Sequence, residues 1–547
     1  MAGTGTSSKQ LVLVACILGT TVVTVDGTVV NVALPAISDD LGGGLAGQQW
    51  TSNAYLVTLG SLLLIGGSLG DIFGERRVYA AGVAAFGVTS LMCALAPTIE
   101  LLVVARALQG VAGALVMPAG LALIVSTFPP DERGRAVGAW TAWSGIGTVL
   151  GPLIGGQLVD AASWRWIFAI NLPLVIGTVI LILRVVPAGL RGDERGRVDV
   201  RGAVLCALGL AGFTFGLIEQ PLYGWSDPVV FVPLIGGAAT FAGFLWWEAR
   251  APAPMLPLGL FKRHNFAIGN AETFAMYGGL SLLFFFLVLF LQQVAGYSAL
   301  EAGSTSIPVT AVMFLLSSRF GALADRMGPR LFMGGGPLVA AVGLVWFTML
   351  DADVDYLTEL LPGLVVFALG LAMTVAPLTA TVLADADEHN AVVASGVNNA
   401  IARVAGLVAI AAVGALVAAS FGNKLESDLG ARADRPEVAA AVEEARKQPL
   451  AVVQIPDAPP AVRVEVERAA QDASVYSFRL GMGISAVLVA LGGLLGLLGI
   501  RNPQRVVEAR ECPGGQLAGA PAEGARTSPC DWGKEGQTPS VVSPQGA

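Results

Sequence analysis

The chain has 547 residues, 54% of them hydrophobic and only 13% charged, with a mean hydropathy of +0.70. That excludes a string of soluble domains and describes a polytopic membrane protein with little mass outside the bilayer. The formal net charge is −8; no nucleic-acid partner is expected, and in such a chain the placement of Lys and Arg says more than their sum.

The first apolar stretch, Leu11 to Pro35, is long enough to cross a bilayer and carries Asp26 well inside it. Asp26 and Asn31 stand where a signal peptide would have a small-residue cleavage site, so the segment reads as a retained helix. A carboxylate there costs on the order of 3 kcal/mol even on lenient insertion scales, which makes a functional role the default reading. Each crossing needs roughly 20 apolar residues. That ruler gives fourteen segments, centred near Val22, Leu62, Ala85, Ala114, Thr148, Ile176, Leu210, Gly237, Leu280, Val312, Gly343, Leu369, Ala409 and Val489.

The stretches after helices two, four, six, eight and ten hold Arg76, Arg77, Arg133, Arg135, Arg184, Arg191, Arg195, Arg197, Arg201, Arg250, Lys262, Arg263, Arg326 and Arg330, whereas the short loops of the opposite face hold essentially Arg165. The positive-inside rule places both termini in the cytoplasm and the chain in the cytoplasmic membrane. The loop after helix twelve, with Asp385, Asp387, Glu388 and His389, is acidic. The stretch from Phe421 to Tyr476 falls outside, and its VEEARK and VRVEVERAAQ runs suggest short surface helices with Pro between them. Residues from about Asn502 onward are rich in Gly, Pro and Ser and read as a disordered tail.

Cys16, Cys93 and Cys206 sit in apolar stretches and Cys512 and Cys530 in the tail, with no disulfide framework or CxxC pattern. His264 and His389 lie in predicted loops far apart in sequence. No metal site and no other cofactor is expected.

An internal repeat is visible. Gly67-Ser-Leu-Gly-Asp71-Ile-Phe-Gly74-Glu-Arg76-Arg77 follows helix two, and Gly321-Ala-Leu-Ala-Asp325-Arg326-Met-Gly328-Pro-Arg330 follows helix ten. Two halves related by an axis along the membrane normal are implied. The division is a six-helix half over 1–190, inserted helices seven and eight over 191–260, a second six-helix half over 261–501 with an extracytoplasmic loop 421–476, and the tail 502–547.

These residues resemble a family. The repeated Gly-x-Leu-x-Asp-x-x-Gly-x-Arg element is similar to the major facilitator loop signature, and Arg106-Ala-Leu-Gln109-Gly110-Val-Ala-Gly113 to its second motif. Gly147-Thr-Val-Leu-Gly151-Pro152-Leu-Ile-Gly155-Gly156 resembles the antiporter motif of drug exporters. Asp26-Gly-Thr-Val-Val-Asn31-Val-Ala-Leu-Pro35 and Trp164-Arg-Trp-Ile-Phe168-Ala-Ile-Asn171-Leu-Pro173 resemble the fourteen-helix drug:proton antiporters. The likeness runs from Leu11 to about Arg501 and implies an all-α integral membrane protein with the major facilitator fold.

If helix one starts near Lys9, Asp26 lies about 25 Å along it, and Arg106 lies about 9 Å below the opposite surface on helix four. In a hydrocarbon core roughly 30 Å thick the two share a depth, and a buried Arg needs such a partner. Burial and the Arg act in opposite senses on the carboxyl, so a motion that alters the pairing would move a proton. The residues alone leave a static ion pair equally open; the resemblance favours the switch. Glu272 on helix nine and Arg403 on helix thirteen are the second-half candidates, as partners or as cavity residues, with snorkelling of Glu272 to the interface as the plain alternative. Glu219 is assigned an interfacial role, and Asp199 caps helix seven.

Asp71 and Asp325, with Gly67, Gly74, Gly321 and Gly328, read as gates whose carboxylates meet a helix N-terminus of the opposite half, and Arg76, Arg77 and Arg330 hold the same loops by ion pairs. Gly147, Gly151, Gly155 and Gly156 allow close helix contact and Pro152 adds a bend, either to seal a proton path or as ordinary packing. Asn31, Trp50, Tyr55, Trp140, Trp143, Phe274, Tyr277, Phe285, Phe286 and Gln292 are the candidates for an apolar, aromatic cavity.

No Ser/His/Asp, metal or phosphate-loop constellation is present, so an enzyme or ATP-driven pump is not expected. The expected function is proton-driven efflux of small amphipathic or lipophilic compounds such as antibiotics by a monomer in the lipid bilayer, with protons as the exchanged partner. An uptake symporter and a non-transporting membrane sensor are the alternatives.

Overall fold

The structure is a computed structural model that describes residues 6–186, 198–384, 391–433, 435–446, 448–450, 455 and 458–502. Residues 1–500 form one compact unit and 501–547 another. The first carries the fold; in the second, only Arg501 and Asn502 are described. The expected tail, the boundary near residue 190 and the acidic loop with Asp385, Asp387, Glu388 and His389 lie outside the described residues.

The spanning helices are α1 (Thr6–Leu41), α2 (Gly44–Phe73), α3 (Glu75–Ala94), α4 (Ile99–Thr127), α5 (Pro130–Ala161), α6 (Trp166–Val185), α7 (Val200–Tyr223), α8 (Pro228–Glu248), α9 (His264–Gln293), α10 (Ala299–Met327), α11 (Pro329–Phe347), α12 (Tyr356–Ala384), α13 (Ala391–Leu429) and α14 (Pro460–Gly499). Among the described residues, thirteen are long and apolar enough to cross a membrane on their own. The fourteenth, α5, is a continuous 32-residue helix whose Gly, Ser and Thr content lowers its apolar weight. The face where α1 begins is called the basic face here and its opposite the far face.

The repeat in sequence is a repeat in structure. Gly74 turns α2 into α3 at φ 90°, and Gly328 turns α10 into α11 at φ 92°, a region a side chain rarely adopts. Arg76 Nη2 donates to Leu183 O at the end of α6 (2.8 Å), and Arg330 Nε donates to Leu497 O near the end of α14 (2.6 Å). In both halves the acceptor is an orphan carbonyl of a helix C-terminus.

The halves meet where α1 lies on α9, α2 on α13 and α5 on α10. Gln49 Nε2 crosses the α2–α13 seam to Ile410 O (2.7 Å). The inserted α7 and α8 pack through Gly209, Gly216 and Gly237, and α7 rests on both α2 and α13. Asp199 caps α7 by accepting from Gly202 N (2.9 Å), and Glu219 accepts from Trp50 Nε1 of α2 (2.9 Å). Glu219 therefore ties the inserted pair to the N-terminal half.

The stretch 421–476 differs from expectation. Helix α13 runs out to Leu429 and α14 begins at Pro460, so the VRVEVERAAQ run is the first part of α14 and not a separate short helix. No Gly or Pro follows Pro460 before Gly481, and nothing stops the helix from continuing. The VEEARK run does fall on a short helix, Pro436–Arg446. These pieces bury a small core of Phe421, Leu425, Val438, Val442, Val466 and Ala470, braced by the Arg432–Glu465 and Arg446–Glu426 ion pairs.

Candidate functional site

Asp26 and Arg106 come together as their matched depths require. Arg106 Nη1 donates to Asp26 Oδ2 at 2.5 Å, and both side chains are at most 1% exposed. An ion pair this deep survives only if its remaining hydrogen-bonding capacity is filled. Gln109, one helical turn after Arg106, donates to Asp26 Oδ1 (2.9 Å) and to Ser90 Oγ (2.8 Å), and its Oε1 accepts from Arg106 Nη1 (2.6 Å). Asn171 Nδ2 donates to the same Asp26 oxygen and to Ser90, both at 3.1 Å. Arg106 Nε donates to Thr51 O (3.1 Å). The guanidinium lies 4.3 Å from the Tyr55 ring centroid and 5.8 Å from that of Phe168, within cation–π range. Five helices, α1, α2, α3, α4 and α6, thus converge on one carboxylate.

A cavity of about 340 Å³ lies between the halves beside this cluster. Arg106 lines it and Asp26 does not, so the guanidinium stands between the carboxylate and the cavity. Of the expected cavity residues, Asn31, Tyr55 and Tyr277 are in its wall. Gln292 is not: its Nε2 donates to Val32 O (3.0 Å), and it lines a second, larger chamber of about 1090 Å³ toward the far face. Trp143 and Phe274 are 53% and 38% exposed and outside the cavity wall. Aromatic character does not tell cavity from lipid, because hydrocarbon is as good a neighbour as an apolar pocket.

Glu272 and Arg403 are not a pair. Arg403 lines the cavity, whereas Glu272 is fully buried on α9 against Gly496 of α14, where an added Cβ would meet its Oε2 at 2.8 Å. Neither Glu272 oxygen has a hydrogen-bond partner among the described residues. It faces its own half instead of snorkelling, since α14 packs over it.

The gate residues divide. The Asp71 side chain lies outside the described residues. Asp325 and Arg77 are exposed, with no hydrogen bond or ion pair among the described residues. Gly67 and Gly321 sit in helix interiors near Pro118 and Ala376.

The glycines of α5 serve two neighbours. A Cβ on Gly147 would lie 3.2 Å from Thr21, and one on Gly151 or Gly155 would run into Thr28 or Val29, all on α1. On Gly156 it would meet Ala299 O and Leu300 Cα of α10 at 2.6 Å, and on Gly303 it would collide with Pro152 O. One turn after Gly156, Asp160 accepts from the Ala299 amide (3.0 Å) and the Leu300 amide (2.8 Å) at the start of α10. This carboxylate at a helix N-terminus of the opposite half is a contact of the kind expected of Asp71 and Asp325, here at the far face. Sequence reasoning missed Asp160, and it missed Ser90, a lone hydroxyl on an apolar helix. Gln109 and Asn171 lay within quoted motifs but without an assigned role.

Residues 16–410 match the Major Facilitator Superfamily family model. The chain is 35% identical over 454 residues to the probable actinorhodin transporter of Streptomyces coelicolor, covering 80% of this chain and 78% of that one. It is 34% identical to the tetracenomycin C resistance and export protein of Streptomyces glaucescens, covering 86% and 87%. Among solved structures, a bacterial homologue of the lysosomal transporter Spinster superposes with a TM-score of 0.61 at 17% identity, over 92% of this chain and all of that one. A mutant of the nucleoside transporter NupG gives 0.56 at 13% identity, over 90% of this chain and 100% of that one. With the all-helical, pseudo-repeated bundle these matches identify a membrane transporter and not an enzyme: the chain belongs to the major facilitator superfamily, in its drug-efflux family.

Proposed function

We propose that the protein exports small amphipathic compounds such as antibiotics across the cytoplasmic membrane in exchange for protons, by alternating access. The carrying observation is the buried Asp26–Arg106 pair, held by Gln109, Asn171 and Thr51 yet only one side chain away from the central cavity. Rocking of the halves that draws Arg106 toward the cavity or a ligand leaves Asp26 without its counter-charge, and a buried carboxyl so placed takes a proton. Return of Arg106 expels it. Glu272, also buried and without a hydrogen-bond partner among the described residues, is the candidate for a second proton in the C-terminal half. The basic face is cytoplasmic on this reading, both termini lie there, and the protein works as a monomer. The far-face contacts of α5 and α10 close the outer side while Asp325 stands exposed at the basic face; the reverse arrangement opens it.

Two relatives, a probable actinorhodin transporter and a tetracenomycin C resistance and export protein, support efflux of small compounds. Everted vesicles test the reading: addition of a transported compound should release protons from wild type and none from Asp26→Asn. Uphill export by Asp26→Asn at the wild-type rate would sink the proton role of Asp26.

A further inference from the structure

The charges that face the central cavity do not balance. Among the described residues its wall holds two guanidinium groups, Arg106 and Arg403, and no carboxylate. Arg106 is neutralised from behind by Asp26. Arg403 has neither an ion pair nor a hydrogen bond among the described residues. The other buried acid of this region, Glu272, is packed against Gly496 and stays out of the wall. Arg403 shares the cavity wall with Tyr55 and Tyr277. Those two rings and Phe284 supply flat apolar surface, while Asn399 and Ser281 supply neutral hydrogen-bonding groups nearby. A volume of about 340 Å³ is at the lower end of small-ligand pockets.

A cation held in a partly desolvated cavity without a counter-ion is a recognition element for an anion, and the guanidinium fork suits a planar oxyanion. We infer that the cavity takes anionic aromatic compounds, a carboxylate or phenolate on a planar ring system, and that Arg403 selects that charge. The inference rests on the transport reading above and replaces the expected proton role of Arg403 with one in substrate choice. A cationic ligand would meet uncompensated positive charge and no acid.

The test uses the full-length protein purified in detergent and three probes of one ring system: anthraquinone-2-carboxylate, its neutral carboxamide and the cationic 2-aminomethyl compound. Equilibrium binding to wild type should favour the carboxylate over the carboxamide by about tenfold, the value of one charge-assisted hydrogen bond, with the amine weakest. Arg403→Gln should bring the carboxylate-to-carboxamide ratio near one while leaving carboxamide affinity in place, and Arg403→Lys should keep part of the preference. Equal or tighter binding of the carboxamide or amine to wild type overturns the inference, as does a preference that survives Arg403→Gln. If Arg403→Gln fails to fold by thermal unfolding, the wild-type ratio and Arg403→Lys still decide. Everted-vesicle transport of the same probes separates the two readings. Transport without anion preference overturns only the charge assignment, and anion-selective binding without transport of any probe overturns the exporter reading alone.

Discussion

Gly156→Ala is the smallest change that should unlock the far face. Its new methyl would lie 2.6 Å from Ala299 O and Leu300 Cα, where ordinary contacts are about 3.5–4 Å. The opposing atoms are backbone and cannot rotate away, so α5 and α10 must part by roughly an ångström, at about 1–3 kcal/mol for overpacking. Parting also stretches the two amide bonds to Asp160, each worth about 1.5–3 kcal/mol as a charged-acceptor hydrogen bond if lost outright. Alanine returns about 1 kcal/mol through helix propensity. The net bias against the closed far face is about 2–4 kcal/mol, or a population shift of roughly 30- to 1000-fold. Gly138→Ala on the same helix is the control, because a Cβ there meets nothing within 4 Å. Double electron–electron resonance between labels at Ala162 and Asp353 on the far face, and between Arg135 and Arg326 on the basic face, reads the shift. Gly156→Ala should lengthen the first distance and shorten the second. Distributions that superimpose on wild type and on Gly138→Ala would refute the idea that α5 and α10 form the far-face gate.

Asp26→Asn leaves Arg106 buried without its counter-charge and should cost about 3–5 kcal/mol, seen as earlier thermal unfolding in detergent as well as lost proton exchange; unchanged melting would mean the pair is solvated. Asp160→Asn keeps the shape but loses the charge at the start of α10, so the same far-face label pair should move in the direction of Gly156→Ala with a smaller amplitude of about 1 kcal/mol. Gly74→Ala and Gly328→Ala force side chains into positive φ and should each destabilise by about 1–2 kcal/mol; similar losses in the two halves would match their shared turn geometry.

Helix order, the two halves and the pairing of Asp26 with Arg106 were legible because depth in a bilayer is simple arithmetic: a fixed rise per residue across a fixed thickness. The cluster around that pair was only half legible. Gln109 and Asn171 stand in recognisable motifs, but Ser90 has no periodic or compositional signal, and its role exists only once α3, α4 and α6 meet. Asp160 was hidden for another reason. Its partners are backbone amides of residues 139 and 140 positions away, and any sequence could supply those. Within 421–476 only the VRVEVERAAQ run was misjudged: its charged residues suggested a break from the apolar run, whereas it opens the helix Pro460–Gly499, and a helix ends only where capping or a breaker ends it.

The outward continuation of α13 and α14 has a mechanical consequence. At 1.5 Å per residue, the 39 residues of α13 reach about 58 Å, nearly twice the hydrocarbon thickness. The excess forms a mast fixed to the C-terminal half, and its short helix brings Glu444 and Arg446 over the far-face chamber. A mast magnifies: a tilt of the halves that moves atoms little at the bundle centre sweeps its tip by several times that displacement. A binder raised against Pro436–Arg446 would therefore grip the transporter where a tilt of the halves moves it most, and would hold it in one arrangement from a site remote from the cavity.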